Sequence, residues 1–177
     1  MNKQFEKGAI KMDTLFYDTF TAGEDYIAAS TDKGLAYVGL AKDADVELPV
    51  FFKGYRFVQD APKNEEAVRQ LKEYFTGNRH SFDLPLDMKG TDFQKSVWQQ
   101  LLRIPFGQVQ TYSQLVQNIK NEKGVRAVAN AVGRNPLMIV VPCHRVIGKN
   151  GRLTGFRGGV ALKKQLLEHE GVLHVKD

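Results

Sequence analysis

A single cysteine, Cys143, stands among 177 residues, so the chain can build neither an intramolecular disulfide nor a multi-thiolate zinc site. No apolar run approaches the roughly 18 residues that a membrane-spanning helix needs. The opening stretch Met1-Asn2-Lys3-Gln4-Phe5-Glu6-Lys7 carries no apolar block, so neither a signal peptide nor an anchor is expected. The glycine-rich stretch Thr154-Gly155-Phe156-Arg157-Gly158-Gly159 lacks the spacing of a nucleotide-binding loop and reads as a flexible, basic loop able to close over a bound group. A lone free thiol suits a reducing cytoplasm. No metal and no cofactor are expected.

What is present is an ordinary globular composition, 42% hydrophobic and 25% charged, long enough for one or two small domains with a real core. Acidic residues are scarce in the second half only. Residues 1–88 hold 11 Lys+Arg against 15 Asp+Glu, a net −4, whereas residues 89–177 hold 14 against 5, a net +9. A basic half points to a polyanionic partner, most economically nucleic acid. The alternative is a merely solvated basic surface.

In the first half, residues 14–20, 26–30 and 35–40 alternate with turn signals and predict an antiparallel meander. Asn64 is placed to cap a helix running to about Phe75, with Val68, Leu71 and Phe75 on its inner face and Gly77 beyond its end. His80, in a polar turn, reads as surface. Residues 78–90 read as an extended surface connection, because Pro85 interrupts the alternation of Phe82, Leu84 and Leu86. The boundary falls near Asp87, giving a scaffold over 1–87 and a functional domain over 88–177.

The second half opens with Thr91-Asp92-Phe93-Gln94, a capping box, and its helix buries Phe93, Val97 and Leu101, flanked by Trp98 and Leu102, before Pro105 stops it. Trp98 has two readings, base-stacking platform or core; its helical spacing with Leu101 favours core. Thr111-Tyr112-Ser113-Gln114 repeats the box. The turn Asn121-Glu122-Lys123-Gly124 then joins two short helices, as in a helix-turn-helix. In the second of these, Val125, Val128, Ala129 and Val132 share one face that should be buried. Arg126 and Asn130 share another, beside Ala127 and Ala131, where small side chains let a helix approach a groove closely.

The apolar residues 137–141 predict one buried strand, ended by Pro142, so that Cys143 emerges at its rim with His144 and Arg145 following. Two potentially cationic neighbours can favour the thiolate over its usual pKa of about 8.5. The competing reading is a buried, inert cysteine. Asn135 is short, polar and adjacent to both the helix and this strand. Lys149-Asn150-Gly151-Arg152 is a turn signal. The last helix, 160–169, packs Leu162, Leu166 and Leu167 and ends at Gly171. Glu168 and Glu170 at its C-terminus oppose the helix dipole; one reading leaves a carboxylate there simply solvated, the other gives Glu170, next to the cap, a compensating partner. His144 is the candidate, giving Cys143 as nucleophile, His144 as base and Glu170 as orienter.

Together these stretches resemble the alkylguanine-DNA alkyltransferases, also called methylated-DNA–protein-cysteine methyltransferases. The resemblance rests on Gly90-Thr91-Asp92-Phe93-Gln94 with Val97-Trp98, Ile104-Pro105-Phe106-Gly107, Thr111-Tyr112 and Arg126-Ala127-Val128. Asn135-Pro136, Pro142-Cys143-His144-Arg145-Val146 and His169-Glu170-Gly171 complete it. It implies an α/β (α+β) protein with a ribonuclease-H-like N-terminal antiparallel sheet and helix, and a mainly helical C-terminal domain holding a helix-turn-helix. It implies irreversible transfer of a methyl or alkyl group from 6-O-alkylguanine, and from 4-O-alkylthymine, in double-stranded DNA to Cys143, by a monomer. His144 would take the thiol proton through a water, with Glu170 fixing the imidazole. Tyr112 would protonate the departing guanine and crowd the phosphate that rotates on flipping. Arg126 would replace the extruded nucleotide, and Asn135 would tie helix to cysteine segment. Val132 and Phe156 would line the pocket, and backbone groups at Cys143 and Val146 would read the base. Some members bind zinc through N-terminal cysteines, which this chain lacks. Arg157 stands where some carry a small hydroxyl residue, so an effect on pocket width is expected. Two other readings remain at this level: a non-transferring lesion sensor, disfavoured by the presence of Cys143, and a cysteine hydrolase using Cys143, His144 and Glu170.

Overall fold

Residues 12–119, 124–173 and 175 are described by a computed structural model. The opening stretch Met1 to Lys7 and the expected turn residues Asn121, Glu122 and Lys123 lie outside them. The meander forms as its alternation predicts: β1 (Thr14–Ala22), β2 (Glu24–Thr31) and β3 (Gly34–Leu40) pair antiparallel in sequence. Several elements escaped the sequence reading, two of them in this half. Helix α1 (Ala44–Phe51) carries Pro49 within it, and β4 (Arg56–Gln59) pairs parallel to β1, giving the order β3-β2-β1-β4.

The sheet is covered on both faces. From β2, Tyr26 and Ala28 enter one apolar cluster, while Ile27 and Ala29 enter a second, beneath Ala44, Leu48 and Phe52. The first cluster runs without a break into the C-terminal half, joining Tyr26, Val38, Leu71 and Tyr74 to Trp98, Leu101, Val128, Met138 and Leu166. One core therefore serves residues from both sides of the expected boundary.

Helix α2 (Ala61–Phe75) starts earlier than predicted, because Asp60 is the cap, its carboxylate accepting from Lys63 N at 3.0 Å. Asn64 is instead fully buried. It accepts from Ser30 Oγ at 2.9 Å and donates to the carbonyls of Phe16 and Asp60, both at 3.0 Å, pinning the helix to the sheet. The connection after α2 is extended, yet its apolar residues Phe82, Leu84 and Leu86 pack on the core. It also adds to the sheet edge: Leu35 N donates to Pro85 O, and Asp87 N to Leu35 O, each at 2.8 Å. That approach requires Gly34, where a Cβ would lie 2.3 Å from the Pro85 oxygen, at φ +143°.

Both capping boxes form. Thr91 and Gln94 exchange bonds at the start of α3 (Asp92–Leu101), and Thr111 and Gln114 do the same before α4 (Tyr112–Ile119). Helix α5 (Gly124–Gly133) packs on α3, with Trp98 Nε1 donating to Ala131 O at 2.8 Å. Trp98 is 1% exposed, so core is its role. Short parallel strands β5 (Gln110–Thr111) and β6 (Val146–Ile147) lead to α6 (Val160–His169), which buries Leu162, Leu166 and Leu167 as expected. Among the described residues, no helix is long and apolar enough to cross a membrane.

Candidate active site

Helix α5 delivers Asn135 directly: Asn135 N donates to Val132 O at 3.2 Å, and the side chain is 1% exposed. Its Oδ1 accepts from Leu137 N at 2.9 Å. Its Nδ2 donates to Val141 O at 2.8 Å and to Cys143 Sγ at 3.1 Å. One amide thus closes residues 137–141 on themselves and reaches the sulfur.

That closure overturns the expected strand. Residues 137–141 form a buried loop with two isolated bridges, Val38↔Leu137 and Met138↔Val141, and Val141 N donates to Leu137 O at 2.8 Å. Ile139 lies at φ +75°, the sole non-glycine residue with positive φ among the described residues. For a β-branched residue this conformation is strained by about 1–3 kcal/mol. Val38 N donates to Pro136 O at 2.9 Å and Met138 N to Val38 O at 3.2 Å, so the sheet edge carries the loop.

Cys143, His144 and Arg145 form a 3-10 turn, which sends consecutive side chains in different directions. Cys143 is 4% exposed and His144 fully buried. His144 Nε2 meets Glu170 Oε1 at 2.6 Å, while its Nδ1, also buried, has no protein partner. Arg145 turns away from the sulfur: Nε and Nη2 donate to Glu170 at 2.8 and 3.0 Å, and Nη1 to Ile104 O at 2.5 Å. The flanking cations therefore do not activate the thiol as expected. Burial pushes the Cys143 thiol up; the Asn135 hydrogen bond and the charges of Arg157 and Lys163 oppose it without prevailing. The resting sulfur is a protonated thiol, which must hand its proton to a base before it can attack.

Burial also lowers His144 below its usual 6.5, against the pull of Glu170, so the imidazole is neutral at pH 7. With Nε2 donating to a carboxylate, the lone pair lies on Nδ1. Burial alone would raise Glu170, but hydrogen bonds from His144 and Arg145, with the Arg145 charge, hold it at about 2.

The remaining candidates divide. Tyr112, at the start of α4, hydrogen-bonds the Thr154 side chain, and burial raises its phenol above the usual 10. Val132 and Val146 are buried, and the Phe156 ring stands edge-on to the His144 ring, centroids 6.5 Å apart. Backbone N–H groups at Cys143 and Val146 bond internally, to Val141 O and Cys143 O, which leaves carbonyl lone pairs as the backbone groups available to a ligand. Arg126 and Asn130 are exposed on α5, with Ala127 half-buried between them.

Two of the expectations for the faces of α5 are corrected. Ala131 is 2% exposed and its carbonyl is taken by Trp98, so it cannot face DNA, whereas Val125, expected inside, is 47% exposed. The helix has turned its buried stripe onto Val128, Ala131 and Val132. Arg157 is not a pocket residue either. Its guanidinium leaves the pocket for the N-terminal half, where it bonds Glu47, Tyr37 and the Val38 carbonyl.

Sequence reasoning missed two groups. Lys163 is fully buried on α6, its Nζ donating to Val146 O at 2.5 Å and Thr154 O at 2.9 Å, and burial lowers it to about 8. Its place beside Leu162 on the inner face was the available signal. Tyr74 donates its hydroxyl to Glu170 Oε1 at 2.7 Å from 96 residues away, a pairing no local pattern announces.

Comparison with known proteins bears on this geometry. Residues 92–172 match the family model described as the DNA binding domain of 6-O-methylguanine DNA methyltransferase, and residues 16–88 match its ribonuclease-like domain. The chain is 45% identical over 146 residues to the methylated-DNA–protein-cysteine methyltransferase of Methanosarcina acetivorans, covering 82% of this chain and 90% of that one. It is 43% identical over 150 residues to the inducible methylated-DNA–protein-cysteine methyltransferase of Bacillus subtilis, with 82% and 84% covered. Its fold is similar to the crystal structure of Mycobacterium tuberculosis O6-methylguanine methyltransferase, with TM-score 0.77 and 35% identity over 93% of this chain and 97% of that one. It is also similar to the Mycobacterium tuberculosis OGT structure in complex with DNA, with TM-score 0.77 and 36% identity over 88% and 92% of the two chains.

Proposed function

This chain belongs to the methylated-DNA–protein-cysteine methyltransferases, and from that premise we propose that it repairs DNA by moving an alkyl group from 6-O-alkylguanine irreversibly onto Cys143. The observation that carries this reading is the buried relay in which Asn135 holds Sγ at 3.1 Å and Glu170 holds His144 Nε2 at 2.6 Å, leaving Nδ1 free to accept a proton.

The thiol proton passes through a water to His144 Nδ1. The sulfur, its anion favoured by Asn135 and by the charges of Lys163 and Arg157, attacks the alkyl carbon. The S–C bond forms as the bond from that carbon to the guanine oxygen breaks, and the electron pair leaves with the base. Tyr112, kept protonated at neutral pH, donates a proton to that base. A thioether offers no carbonyl for water to attack, so the protein is consumed in one turnover. This separates it from a cysteine hydrolase, whose thioester would be released.

A lesion stacked in a duplex is out of reach of a cysteine that is only 4% exposed, so the base must be flipped, at a cost of a few kcal/mol. Exposed Arg126 on α5 fills the gap, with Ala127 and Asn130 beside it, while Tyr112 on α4 crowds the phosphate that rotates. Val132, Val146 and Phe156 enclose the alkyl group. We assign residues 1–87 to the scaffold and 88–177 to DNA binding and alkyl acceptance. A monomer working in the cytoplasm without metal or cofactor, on 4-O-alkylthymine as well as guanine lesions, completes the proposal. The sensor alternative is disfavoured by Cys143 and its relay.

Intact mass after incubation with a duplex carrying 6-O-methylguanine tests this. One methyl group should appear, on the Cys143 peptide, and undamaged duplex should leave the mass unchanged. Absence of an adduct would overturn the reading.

A further inference from the structure

Arg157 sits on the loop that carries Phe156, yet its side chain is spent mainly on the opposite half of the protein. Nη1 pairs with Glu47 of α1 and lies 3.1 Å from the Tyr37 hydroxyl. Nη2 donates to Val38 O at 2.5 Å and Pro136 O at 3.3 Å. The guanidinium carbon lies 5.0 Å from the Tyr37 ring centre and 5.5 Å from that of Phe51. Tyr37 in turn donates to Glu47. The pair is largely withdrawn from water, with side-chain exposures of 10% for Arg157 and 20% for Glu47. The strand is shaped for it: a Cβ at Gly39 would lie 2.3 Å from the Tyr37 hydroxyl, so only glycine there leaves that hydroxyl its place.

The loop itself has little slack. Thr154 O accepts from Lys163, and Phe156 O accepts from Gly159 N at 2.9 Å. A Cβ at Gly158 would meet Leu162 at 2.7 Å and the Met138 sulfur at 3.0 Å. The expectation of a flexible loop is thereby replaced by one fixed at several points, and Arg157 fixes it to the N-terminal half.

Resting on the reading of Cys143 as alkyl acceptor, we propose that Arg157, gripped by Glu47 and Tyr37, is a specificity-determining positioning residue. It holds the Phe156 wall against the pocket and so limits the size of alkyl group that reaches the sulfur. The N-terminal half, which carries none of the relay's proton-transfer groups, then takes part in choosing the lesion. A bulky group is admitted only when the loop yields, and the loop yields only when the clamp opens. One added methylene in an apolar pocket changes selectivity by about 10- to 200-fold, so a wall released by a fraction of that range is readily measured.

The test compares rates of Cys143 adduct formation on duplexes carrying 6-O-methylguanine or 6-O-benzylguanine, for the wild type, Glu47→Gln, Arg157→Ala and Arg157→Lys. The benzyl-to-methyl ratio is the readout, because a change in thiolate fraction or in overall stability alters both rates together. Glu47→Gln and Arg157→Ala should raise the ratio by at least roughly fivefold. Arg157→Lys, which keeps the charge and a donor for one carbonyl, should fall between them and the wild type. Glu47→Gln is a mild change at a partly exposed position and decides the matter if Arg157→Ala does not fold. An unchanged ratio in Glu47→Gln, with adducts still forming, overturns the clamp while leaving the function intact. A wild type that forms no methyl adduct overturns both.

Discussion

Glu170 takes more hydrogen bonds than any simple orienter needs. His144 Nε2, the Tyr74 hydroxyl and Arg145 Nη2 converge on Oε1, while Arg145 Nε and Gly107 N converge on Oε2. Converting Glu170 to Gln leaves a buried guanidinium without its counter-charge, which costs about 3–5 kcal/mol when a buried pair loses one member. The expected result is a large loss of thermal stability together with slow transfer; a variant of wild-type stability would contradict it. Acid should act on the same centre. The folded-state pKa of Glu170 is depressed to about 2 from its ordinary 4.5, so its contribution is full above 4.5 and lost as pH falls toward 2. His144 is also depressed, so below pH 6.5 the unfolded chain binds its proton first and stability falls again. Denaturant midpoints measured from pH 7 down to pH 4 should decline steadily; a flat profile would speak against a neutral, buried His144.

At the scale of elements, what was legible in the sequence was local. The two capping boxes name their own helix starts, since Thr91 with Gln94 and Thr111 with Gln114 lie within one turn of each other. The meander follows from alternation broken by turn residues. Helix α1 was hidden because Pro49 falls within its eight residues. Strand β4 was hidden because its partner, β1, lies some forty residues back in the chain. The loop at 137–141 read as a strand because apolar residues buried on every side look the same in either form, and the positive φ of Ile139 leaves no mark in composition. On α5, phase was the error: the stripe begins at Val128 and leaves Val125 in solvent. Arg126 keeps its expected exposure, as the proposed replacement of the flipped base requires. Arg126→Ala should slow transfer from duplex lesions at least about tenfold, the scale of an unstacking cost of a few kcal/mol. It should leave reaction with the free alkylated base unchanged. Equal losses on both substrates would show that Arg126 supports the fold instead.

For the whole molecule, the shared core outweighs the division suggested by charge and by the connection near Asp87. Tyr26, Val38 and Tyr74 pack in one cluster with Trp98, Met138 and Leu166, and Tyr74, Val38 and Glu47 all bond to residues beyond 130. Calorimetry should therefore record a single cooperative transition; two separable transitions would mean that the halves are stable apart. The basic excess of the second half is also partly internal, because Arg145, Arg157 and Lys163 serve the site and its loop while Arg126, Arg134, Lys149 and Arg152 face solvent. The scaffold half thus supplies the edge strand beneath the sulfur loop, a hydroxyl on the orienting carboxylate and the clamp on Arg157. The most direct measurement of the central claim is a count of lesions cleared from excess methylated duplex per molecule of protein. Clearance should stop at one per molecule for the wild type and be absent for Cys143→Ser; continued clearance, or any by Cys143→Ser at the wild-type rate, would contradict a sulfur that accepts the alkyl group once and keeps it.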